Sequence, residues 1–373
     1  MDFASLYIHI PFCKRKCRYC VFYAKKWQQE EEVSFFRALS EELVFYAKRF
    51  TGLKIKTLFI GGGSPSCISK LGLKQILEFV HNKLDLDCCI EKSIELNPED
   101  VDIEKLKLLG LYGFNRVSLG AQSFCDEELM FLGRCHTGKT TIDAVALINS
   151  IGINNVNLDL IFGIPGSSVE KLKETIGVAV NLNVSHISAY SLSFESGSYL
   201  VRKGIKPVSC YEDFKQYRFV KNYLKKAGFD QYEVSSFSKK GFQCKHNLAY
   251  WEYTSFIGVG PSATSFFRDR SYKNVASLSK YIDNPVGILS KQLDKSPMKR
   301  SFLIKDFIVA NLRLKKGFSV ARFNMLFDMD FCNEYRDVLG LLWKQGLLAR
   351  DRKNIRVSQR GLYLLNDVLI RFL

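Results

Sequence analysis

Three cysteines near the start of the chain, Cys13, Cys17 and Cys20, have the residue type and spacing of ligands for a metal centre. The C-x₃-C-x₂-C spacing puts three thiols in one short loop, and thiolates bind zinc and iron–sulfur clusters. Structural zinc sites and simple iron–sulfur sites usually have four protein ligands. A loop that supplies three thiolates leaves one metal position open, and a small molecule can bind there.

Two other interpretations fit the cysteines alone. They could be buried free thiols, or they could bind zinc with a fourth ligand from elsewhere in the chain. Basic residues in the same loop favour the thiolate form and offset the negative charge of a thiolate-bound cluster. These residues are Lys14, Arg15, Lys16 and Arg18.

The cysteine spacing, with Tyr19 directly before the last cysteine, resembles the radical S-adenosylmethionine (SAM) superfamily. The resemblance implies that the three thiolates bind a [4Fe–4S] cluster and that the fourth iron is chelated by the amino and carboxylate groups of SAM. It further implies an external electron donor, because one electron from the cluster cleaves SAM to a 5′-deoxyadenosyl radical.

Length and composition indicate a large domain with a smaller appendage. The chain has 373 residues, of which 47% are hydrophobic, and a net charge of +16. We find no signal-peptide pattern and no apolar stretch that approaches a membrane span. Since a thiolate cluster needs a reducing compartment, we expect a cytoplasmic protein. The positive charge permits an acidic partner: nucleic acid, a membrane surface contacted transiently, or a carboxylate-bearing small molecule.

Short apolar runs alternate with helical segments over the first two-thirds of the chain, which predicts a parallel sheet with outer helices. The predicted strands are Leu6–Ile10, Thr57–Ile60, Ser93–Leu96, Arg116–Leu119, Asn155–Leu160 and His186–Leu192. The predicted helices are Glu32–Arg49, Lys70–Lys83, Ile103–Leu109, Asp126–Phe131, Thr140–Ser150 and Val169–Asn181. Six units predict a partial (β/α)₆ TIM-like barrel of the radical SAM type, and the cysteine loop follows the first strand, where barrel chemistry is expected.

The chain continues into two further predicted segments. We expect the barrel to occupy residues 1–240, a segment that closes the pocket to occupy 241–296, and a C-terminal domain to occupy 297–373. The last segment has two predicted helices, a strand and a final helix behind Ser358, which resembles a winged helix. These elements are Asp306–Leu314, Asn333–Trp343, Ile355–Val357 and Leu362–Arg371.

A glycine-rich run, Gly61-Gly62-Gly63-Ser64, follows the second predicted strand. Glycines allow turns with positive φ and close approach of the backbone to a ligand. The run is not a Walker loop, because no Gly-Lys-Ser/Thr follows it. Beside a cluster loop it resembles the glycine motif whose backbone holds the methionine amino group of SAM.

Polar residues follow the next strands in the order Glu95, Gln122, Arg134 and Asp159. This order and spacing resemble the anaerobic coproporphyrinogen III oxidase family and its relatives, the HemW heme chaperones. The resemblance implies two sets of contacts. A SAM bound to the cluster would contact Tyr7, Tyr19, Gly62 and Glu95. A second SAM or substrate region would be lined by Gly63, Ser64, Gln122, Arg134, Asp159 and Ser193. No catalytic acid or base is assigned.

Two features separate the chaperones from the oxidases. The oxidases have a further cysteine two residues after the third one, where this chain has Phe22. HemW proteins typically have Asp-Phe there, and this chain has Val21 in place of the aspartate. The second feature is the H-N-x-x-Y-W motif of HemW proteins. The resemblance implies heme contact by His246, Asn247, Tyr250 and Trp251, with Cys244 as an alternative axial ligand. The residues alone also fit a second interpretation, in which Tyr250 and Trp251 pack the barrel mouth and His246 is hydrogen-bonded locally.

The leading hypothesis is therefore a [4Fe–4S]- and SAM-binding heme chaperone that carries heme as cargo and transfers it to acceptor proteins. The alternative is an oxygen-independent coproporphyrinogen III oxidase, which decarboxylates propionates in porphyrin biosynthesis. The sequence leaves open whether the radical SAM machinery turns over. A third class, a nucleic-acid-binding radical SAM enzyme, rests on the charge of +8 from Pro297 onward, and we do not expect it.

Overall fold

The structure is a computed structural model that describes residues 2–293, 296–349 and 353–373. Its centre is a set of six parallel strands in the order β1-β4-β5-β6-β7-β8, which confirms the predicted partial barrel. The strands are β1 Phe3–Ile10, β2 Phe12–Cys13, β3 Lys25–Lys26, β4 Lys54–Gly62, β5 Glu91–Leu96, β6 Arg116–Gln122, β7 Asn155–Phe162, β8 His186–Ser191, β9 Asp230–Gln231, β10 Ser236–Ser238, β11 Phe256–Val259, β12 Thr264–Phe267, β13 Arg270–Lys273, β14 Phe318–Ser319, β15 Leu348–Ala349 and β16 Asn354–Val357.

Helices follow the parallel strands and cover the outside of the sheet. They are α1 Gln29–Arg49, α2 Lys70–Lys83, α3 Ile103–Leu111, α4 Asp126–Leu132, α5 Gly138–Ser150, α6 Val169–Asn181, α7 Tyr199–Arg202, α8 Cys210–Lys226, α9 Lys245–Trp251, α10 Leu278–Asp283, α11 Gly287–Leu293, α12 Arg300–Leu312, α13 Val320–Phe327, α14 Phe331–Glu334, α15 Arg336–Lys344, α16 Gln359–Tyr363 and α17 Leu365–Ile370. Within the described residues, no helix is both long and apolar enough to cross a membrane.

The parallel strands have one apolar face and one polar face. In β1, Leu6 and Ile8 belong to the hydrophobic core. The alternate residue Ser5 instead accepts a hydrogen bond from the Thr57 hydroxyl of β4 (2.8 Å). In β6 and β7, Ser118 donates to Asp159 (3.0 Å). Because side chains alternate along a strand, the outer face packs under the helices and the inner face lines the barrel with polar groups.

The sheet extends beyond the six predicted strands. On one side, β11 pairs in parallel with β1, and β12 and β13 continue the sheet in antiparallel fashion. On the other side, β10 and β9 follow β8. Residues 241–296 therefore contribute strands to the barrel sheet, and their apolar side chains belong to the same core. Sequence periodicity did not reveal this pairing, because it joins strands about 250 residues apart.

The C-terminal residues form a second core, which begins at Ile304, whereas the barrel core ends at Leu293. Three short strands in the order β14-β16-β15 pack with the surrounding helices, as in a winged helix. The sequence analysis missed α13, a helix of eight residues whose N-terminus is capped by the Ser319 side chain.

Candidate functional site

The three-cysteine loop lies at the C-terminal end of β1 and is closed by its own backbone. Residues Phe12 and Cys13 pair in parallel with Lys25 and Lys26. Within the loop, the Cys20 amide donates to the Cys17 carbonyl (3.3 Å). All three thiols are half-buried, so they lie just inside the surface rather than in the core. The loop is thus a closed turn that presents its cysteines at the mouth of the barrel.

Burial and the neighbouring sulfurs both act on the Cys13 thiol. Burial raises the pKa of the Cys13 thiol to about 12, and the neighbouring Cys20 and Cys17 add to the shift, so the three sulfurs lie close to one another. Burial therefore outweighs the basic residues that the sequence analysis expected to favour the thiolate form. Among the described residues, no three His, Cys, Asp or Glu side chains converge as ligands of one ion would. The three neighbouring thiols remain the ligands that the sequence predicts for a cluster.

The glycine-rich run packs directly against the cysteine loop. The Gly63 amide donates to the Ile10 carbonyl (2.8 Å), and the Ser64 amide donates to the Phe12 carbonyl (2.8 Å). A Cβ at Gly63 would lie 2.5 Å from the Phe12 oxygen and 3.0 Å from the Cys13 sulfur. Gly62 has φ of +119°, a conformation that other residues rarely adopt. These glycines are needed for close approach of the backbone at the first cysteine.

Glu95 lies inside the barrel below the glycine run. Its Oε2 accepts a hydrogen bond from the Gly62 amide (3.1 Å). Burial raises the pKa of Glu95 to about 7, and the charge of Asp159 contributes to the shift. The pKa of Tyr7 is raised mainly by burial and then by the charge of Glu95, so these three polar residues face the same interior. The Tyr7 hydroxyl oxygen lies 3.1 Å from His9 Nδ1.

Arg134 joins the cysteine loop to the strand ends. Its Nη1 donates to the Cys17 sulfur (3.2 Å), and its Nη2 donates to Asn97 Oδ1 (2.7 Å) and to the Gly120 carbonyl (2.9 Å). Its Nε is buried and has no hydrogen-bond partner in the described part of the chain. One N–H therefore remains for a ligand. Gln122 lies beside this group, with a left-handed φ of 65°.

The other residues predicted for the SAM region divide into two groups. Ser64 is buried and accepts a hydrogen bond from Asn97 Nδ2 (2.9 Å). Burial raises the pKa of Tyr19, and nearby Cys17 adds to the shift, so this ring borders the cysteine loop. Asp159 accepts from Ser118 inside the barrel. Ser193 differs, since it is exposed and donates to Glu195 (2.7 Å), and within the described residues no hydrogen bond joins it to the others.

The H-N-x-x-Y-W motif lies at the opposite end of the barrel from the cysteines. Helix α9 carries it, and its first N–H groups, at Lys245 and His246, donate to Glu91 at the start of β5 (2.7 and 3.1 Å). The Cys244 thiol also donates to Glu91 and is fully buried. Because Glu91 begins its strand, α9 closes the N-terminal end of the barrel, which we call the floor.

His246 is part of that floor. Its ring is 1% exposed and stacks on Phe59 at 5.0 Å between centroids. Nδ1 is 2.8 Å from the Thr57 hydroxyl, and Nε2 is 2.8 Å from the Tyr250 hydroxyl. Burial lowers the pKa of His246 to about 3, so the imidazole is neutral. Both ring nitrogens therefore have hydrogen-bond partners in this conformation, and heme ligation by His246 stays a prediction.

The last residue of the motif, Trp251, faces the C-terminal domain. The Arg313 guanidinium lies over the Trp251 ring, 4.7 Å from its centroid. Arg322 donates to the carbonyl of Glu252 (2.6 Å), directly after α9. Asn247 is half-buried on the same helix. The motif therefore joins the barrel floor to the second domain, and its Trp251 ring is already covered by a cation.

Phe22 and Val21 are unusually exposed for apolar residues, at 68% and 43%. They follow the last cysteine directly, at the rim of the barrel mouth. The position that distinguishes the two families in sequence therefore lies on the surface beside the cysteine loop.

Sequence reasoning missed several residues at this end of the barrel. Asn97 contacts both Ser64 and Arg134, and Lys14 forms an ion pair with Asp100. Tyr190 is 42% exposed at the end of β8, and the pKa of its hydroxyl is raised by desolvation and then by the charge of Asp159, so the hydroxyl faces the interior. The sequence did contain a pattern that indicates Asn97 and Tyr190. Both are polar residues at or near strand ends, and each comes two positions after an inward-facing residue, so each faces the same side.

Comparisons with known proteins agree with this architecture. Residues 7–179 match the family model of the radical SAM superfamily, and residues 303–364 match that of the HemN C-terminal domain. In a solved structure described as coproporphyrinogen III oxidase (HemN) from Escherichia coli, a radical SAM enzyme, the similarity covers 100% of this chain and 90% of that one, with a TM-score of 0.85 and 23% identity. At that identity the match shows the fold alone.

Curated relatives match over 69–99% of the chain. The heme chaperone HemW of Lactococcus lactis is 31% identical, with 99% of this chain and 97% of the relative covered. That of Bacillus subtilis is 32% identical, with 99% of each covered. That of Escherichia coli is 36% identical over 69% of each chain. The chain therefore belongs to the HemW heme chaperone family within the radical SAM superfamily.

Proposed function

We propose that this protein holds a [4Fe–4S] cluster and SAM at the barrel mouth, binds heme, and passes the heme to acceptor proteins. The cluster would be held by Cys13, Cys17 and Cys20, since their closed loop and neighbouring sulfurs fit it. The observation that carries the heme function is the similarity to HemW chaperones along the entire chain. The iron that lacks a cysteine would bind SAM, and an external donor would supply the electron.

The residues around the cysteine loop would each contribute to SAM binding. Gly62 and Gly63 let the backbone approach closely, because Gly62 has a positive φ and neither residue has a Cβ. Glu95 offers a carboxylate on the inner wall. Arg134 offers the unused Nε–H, which suits a carboxylate. Tyr7, Tyr19, Ser64, Gln122 and Asp159 would line the same space, with Ser193 at its outer edge.

We further propose that the H-N-x-x-Y-W motif supports heme handling by closing the floor rather than by binding iron through His246. A ligand role for His246 would require its hydrogen bonds to Thr57 and Tyr250 to break. It would also pull the N-terminus of α9 away from Glu91. Asn247, Tyr250 and Trp251 would then act in heme binding only through the shape of the floor and its joint with the C-terminal domain.

Cluster and heme binding can be tested together. The purified protein is reconstituted anaerobically with iron and sulfide, and heme is titrated in while the absorbance is recorded. We expect about four irons per chain, saturable heme binding, and transfer of the heme to a heme-free acceptor protein. Cys17→Ser should lose the cluster, whereas Cys88→Ser, at an exposed cysteine outside the loop, should keep it. Equal iron content in both variants would contradict the cluster site.

A further inference from the structure

We propose that Asn97 is a positioning residue that, with the Lys14–Asp100 ion pair, holds the three-cysteine loop in its ligand-binding shape before iron arrives. The inference rests on the proposed cluster site. It concerns a continuous chain of polar contacts that starts at Cys17, passes through Asn97, and returns to the same loop at Lys14.

The first part of the chain runs from Cys17 to Asn97 through Arg134. The guanidinium donates to the Cys17 sulfur through one terminal nitrogen (3.2 Å) and to Asn97 Oδ1 through the other (2.7 Å). That second nitrogen also donates to the Gly120 carbonyl (2.9 Å). A planar guanidinium held at two points has a fixed direction. Asn97 Oδ1 therefore helps to aim Arg134 at the cysteine loop.

The second part uses the other half of the same amide. Asn97 Nδ2 donates to the Ser64 hydroxyl (2.9 Å), which is 2.8 Å from the Ser66 hydroxyl. The Asn97 backbone amide donates to Ser66 as well (3.1 Å). Ser66 in turn donates to Asp100 Oδ2 (3.4 Å). Both serines and Asp100 are buried, so these bonds are not exchanged with water.

The last contact returns to the cysteine loop. Lys14, the residue after Cys13, extends from the surface to form an ion pair with Asp100, whose side chain is 2% exposed. The pKa of Lys14 is raised by its hydrogen bond to Asp100, as expected for a cation that gains a partner. The loop is thus tied to the barrel at Lys14 and at Cys17, and Asn97 lies between the two ties.

This arrangement predicts what each change at Asn97 should do. Asn97→Ala removes both halves of the amide, so Arg134 and Ser64 lose their shared partner. Asn97→Asp keeps an oxygen for Arg134 and can accept from the Ser64 hydroxyl, so the chain of contacts is preserved. Asn115→Ala is the matched control, because Asn115 is exposed at the start of the neighbouring strand and bonds only backbone groups at the far end of the barrel.

The test measures iron release from the reconstituted full-length protein to excess chelator, followed by the decay of cluster absorbance. Losing a hydrogen bond of ordinary strength should accelerate release about fivefold in Asn97→Ala. Asn97→Asp and Asn115→Ala should stay within about twofold of the unchanged protein. The reduced cluster of Asn97→Ala should also show an altered electron paramagnetic resonance spectrum and a lower potential, because hydrogen bonds to sulfur tune both.

A double-mutant cycle tests the second tie. As a single variant, Lys14→Gln should accelerate iron release. In the double variant with Asn97→Ala the two effects should be less than additive, because both residues belong to one network. In the double variant of Lys14→Gln with Asn115→Ala, the effects on iron release should be additive. Unchanged release in Asn97→Ala, equal acceleration in Asn97→Asp, or equal acceleration in Asn115→Ala would each overturn the inference. If the unchanged protein holds no cluster, the proposed function fails instead, and iron analysis before the chelator is added distinguishes the two failures.

Discussion

His246 Nδ1 lies 2.8 Å from the hydroxyl of Thr57. This contact joins helix α9, which carries the H-N-x-x-Y-W motif, to strand β4 inside the barrel. The two residues are 189 positions apart in the chain. Thr57 also donates to Ser5, so the floor helix is tied to two strands through one hydroxyl. The contact lies at the end of the barrel opposite the cysteines. It supports the proposal that the motif has a structural role in closing the floor.

Replacing His246 should therefore destabilise the fold more than it alters heme coordination. His246→Ala removes one hydrogen-bond partner of Thr57, which keeps its bond to Ser5, and one of Tyr250, and it opens a cavity beside Phe59. We therefore expect a loss of about 3 kcal/mol in the free energy of unfolding. Urea denaturation measures it. His81→Ala, at a half-buried histidine of α2, should cost less than about 1 kcal/mol.

His246→Gln separates packing from iron ligation. Glutamine can donate and accept at the floor but is a poor heme ligand, so the heme absorbance spectrum should match that of the unchanged protein. Loss of the bound-heme spectrum in a folded His246→Gln variant would restore the ligand role.

Acid should unfold the protein partly through its buried histidines. Burial lowers the pKa of His246 to about 3, and burial lowers that of His186 well below its ordinary value. The unfolded chain takes up a proton at each below about pH 6.5, whereas the folded chain does not. Each histidine therefore leaves the free energy of unfolding unchanged above about pH 6.5. Below that pH it lowers this free energy by up to about 1.4 kcal/mol per pH unit. Urea titrations at pH 7 and 5.5 should show a smaller drop for His246→Gln, and an identical drop would contradict this assignment.

Glu42 should give the opposite pH dependence. It is fully buried on α1 and accepts hydrogen bonds from Gly260, Asn274 and Tyr281, yet burial raises its pKa to about 7. The folded chain then binds a proton between about pH 4.3 and 7 that the unfolded chain releases. Stability from this group falls as the pH rises through that window.

Glu42→Gln removes the titration, so the stability of the unchanged protein relative to this variant should fall by on the order of 2–3 kcal/mol from pH 5 to 7.5. Thermal and urea unfolding across that range measure the change. Glu41→Gln, one residue earlier and exposed, should leave the slope as it is. If Glu42→Gln leaves the dependence of stability on pH unchanged, Glu42 is not the group that causes it.

Glu95 should link SAM affinity to pH. Burial raises its pKa to about 7, and a ligand hydroxyl or N–H would favour the ionised form. SAM binding to the reconstituted protein should therefore strengthen from pH 6 to 8. Glu95→Gln should bind SAM about tenfold more weakly, with a flat profile. Calorimetry measures both, with Glu104→Gln on the surface of α3 as control. A pH-dependent profile in Glu95→Gln would assign the titration to another group.

The six parallel strands and their helices could be predicted from sequence, because each element carries its own pattern. Strand β7 alternates apolar and polar residues, and α2 has an apolar stripe and a serine cap. The cysteine loop and Glu95 followed from the rule that polar residues gather at strand ends.

The position of α9 could not be predicted in the same way. Nothing in seven residues indicates which end of the barrel they close, because their anchors, Glu91 and Thr57, come from strands more than 150 residues earlier. The tie between Lys14 and Asp100 is of the same kind, since it depends on two loops that meet only after the barrel forms.

The most direct test of the account is one anaerobic assay of the reconstituted protein with SAM and a reductant. One sample receives heme, the other receives coproporphyrinogen III, and the pigments are separated and quantified. We predict that heme binds and is passed on chemically unchanged, and that coproporphyrinogen III is recovered intact, since Phe22 stands where the oxidases have a further cysteine. Multiple turnovers of coproporphyrinogen III to protoporphyrinogen would contradict the chaperone function.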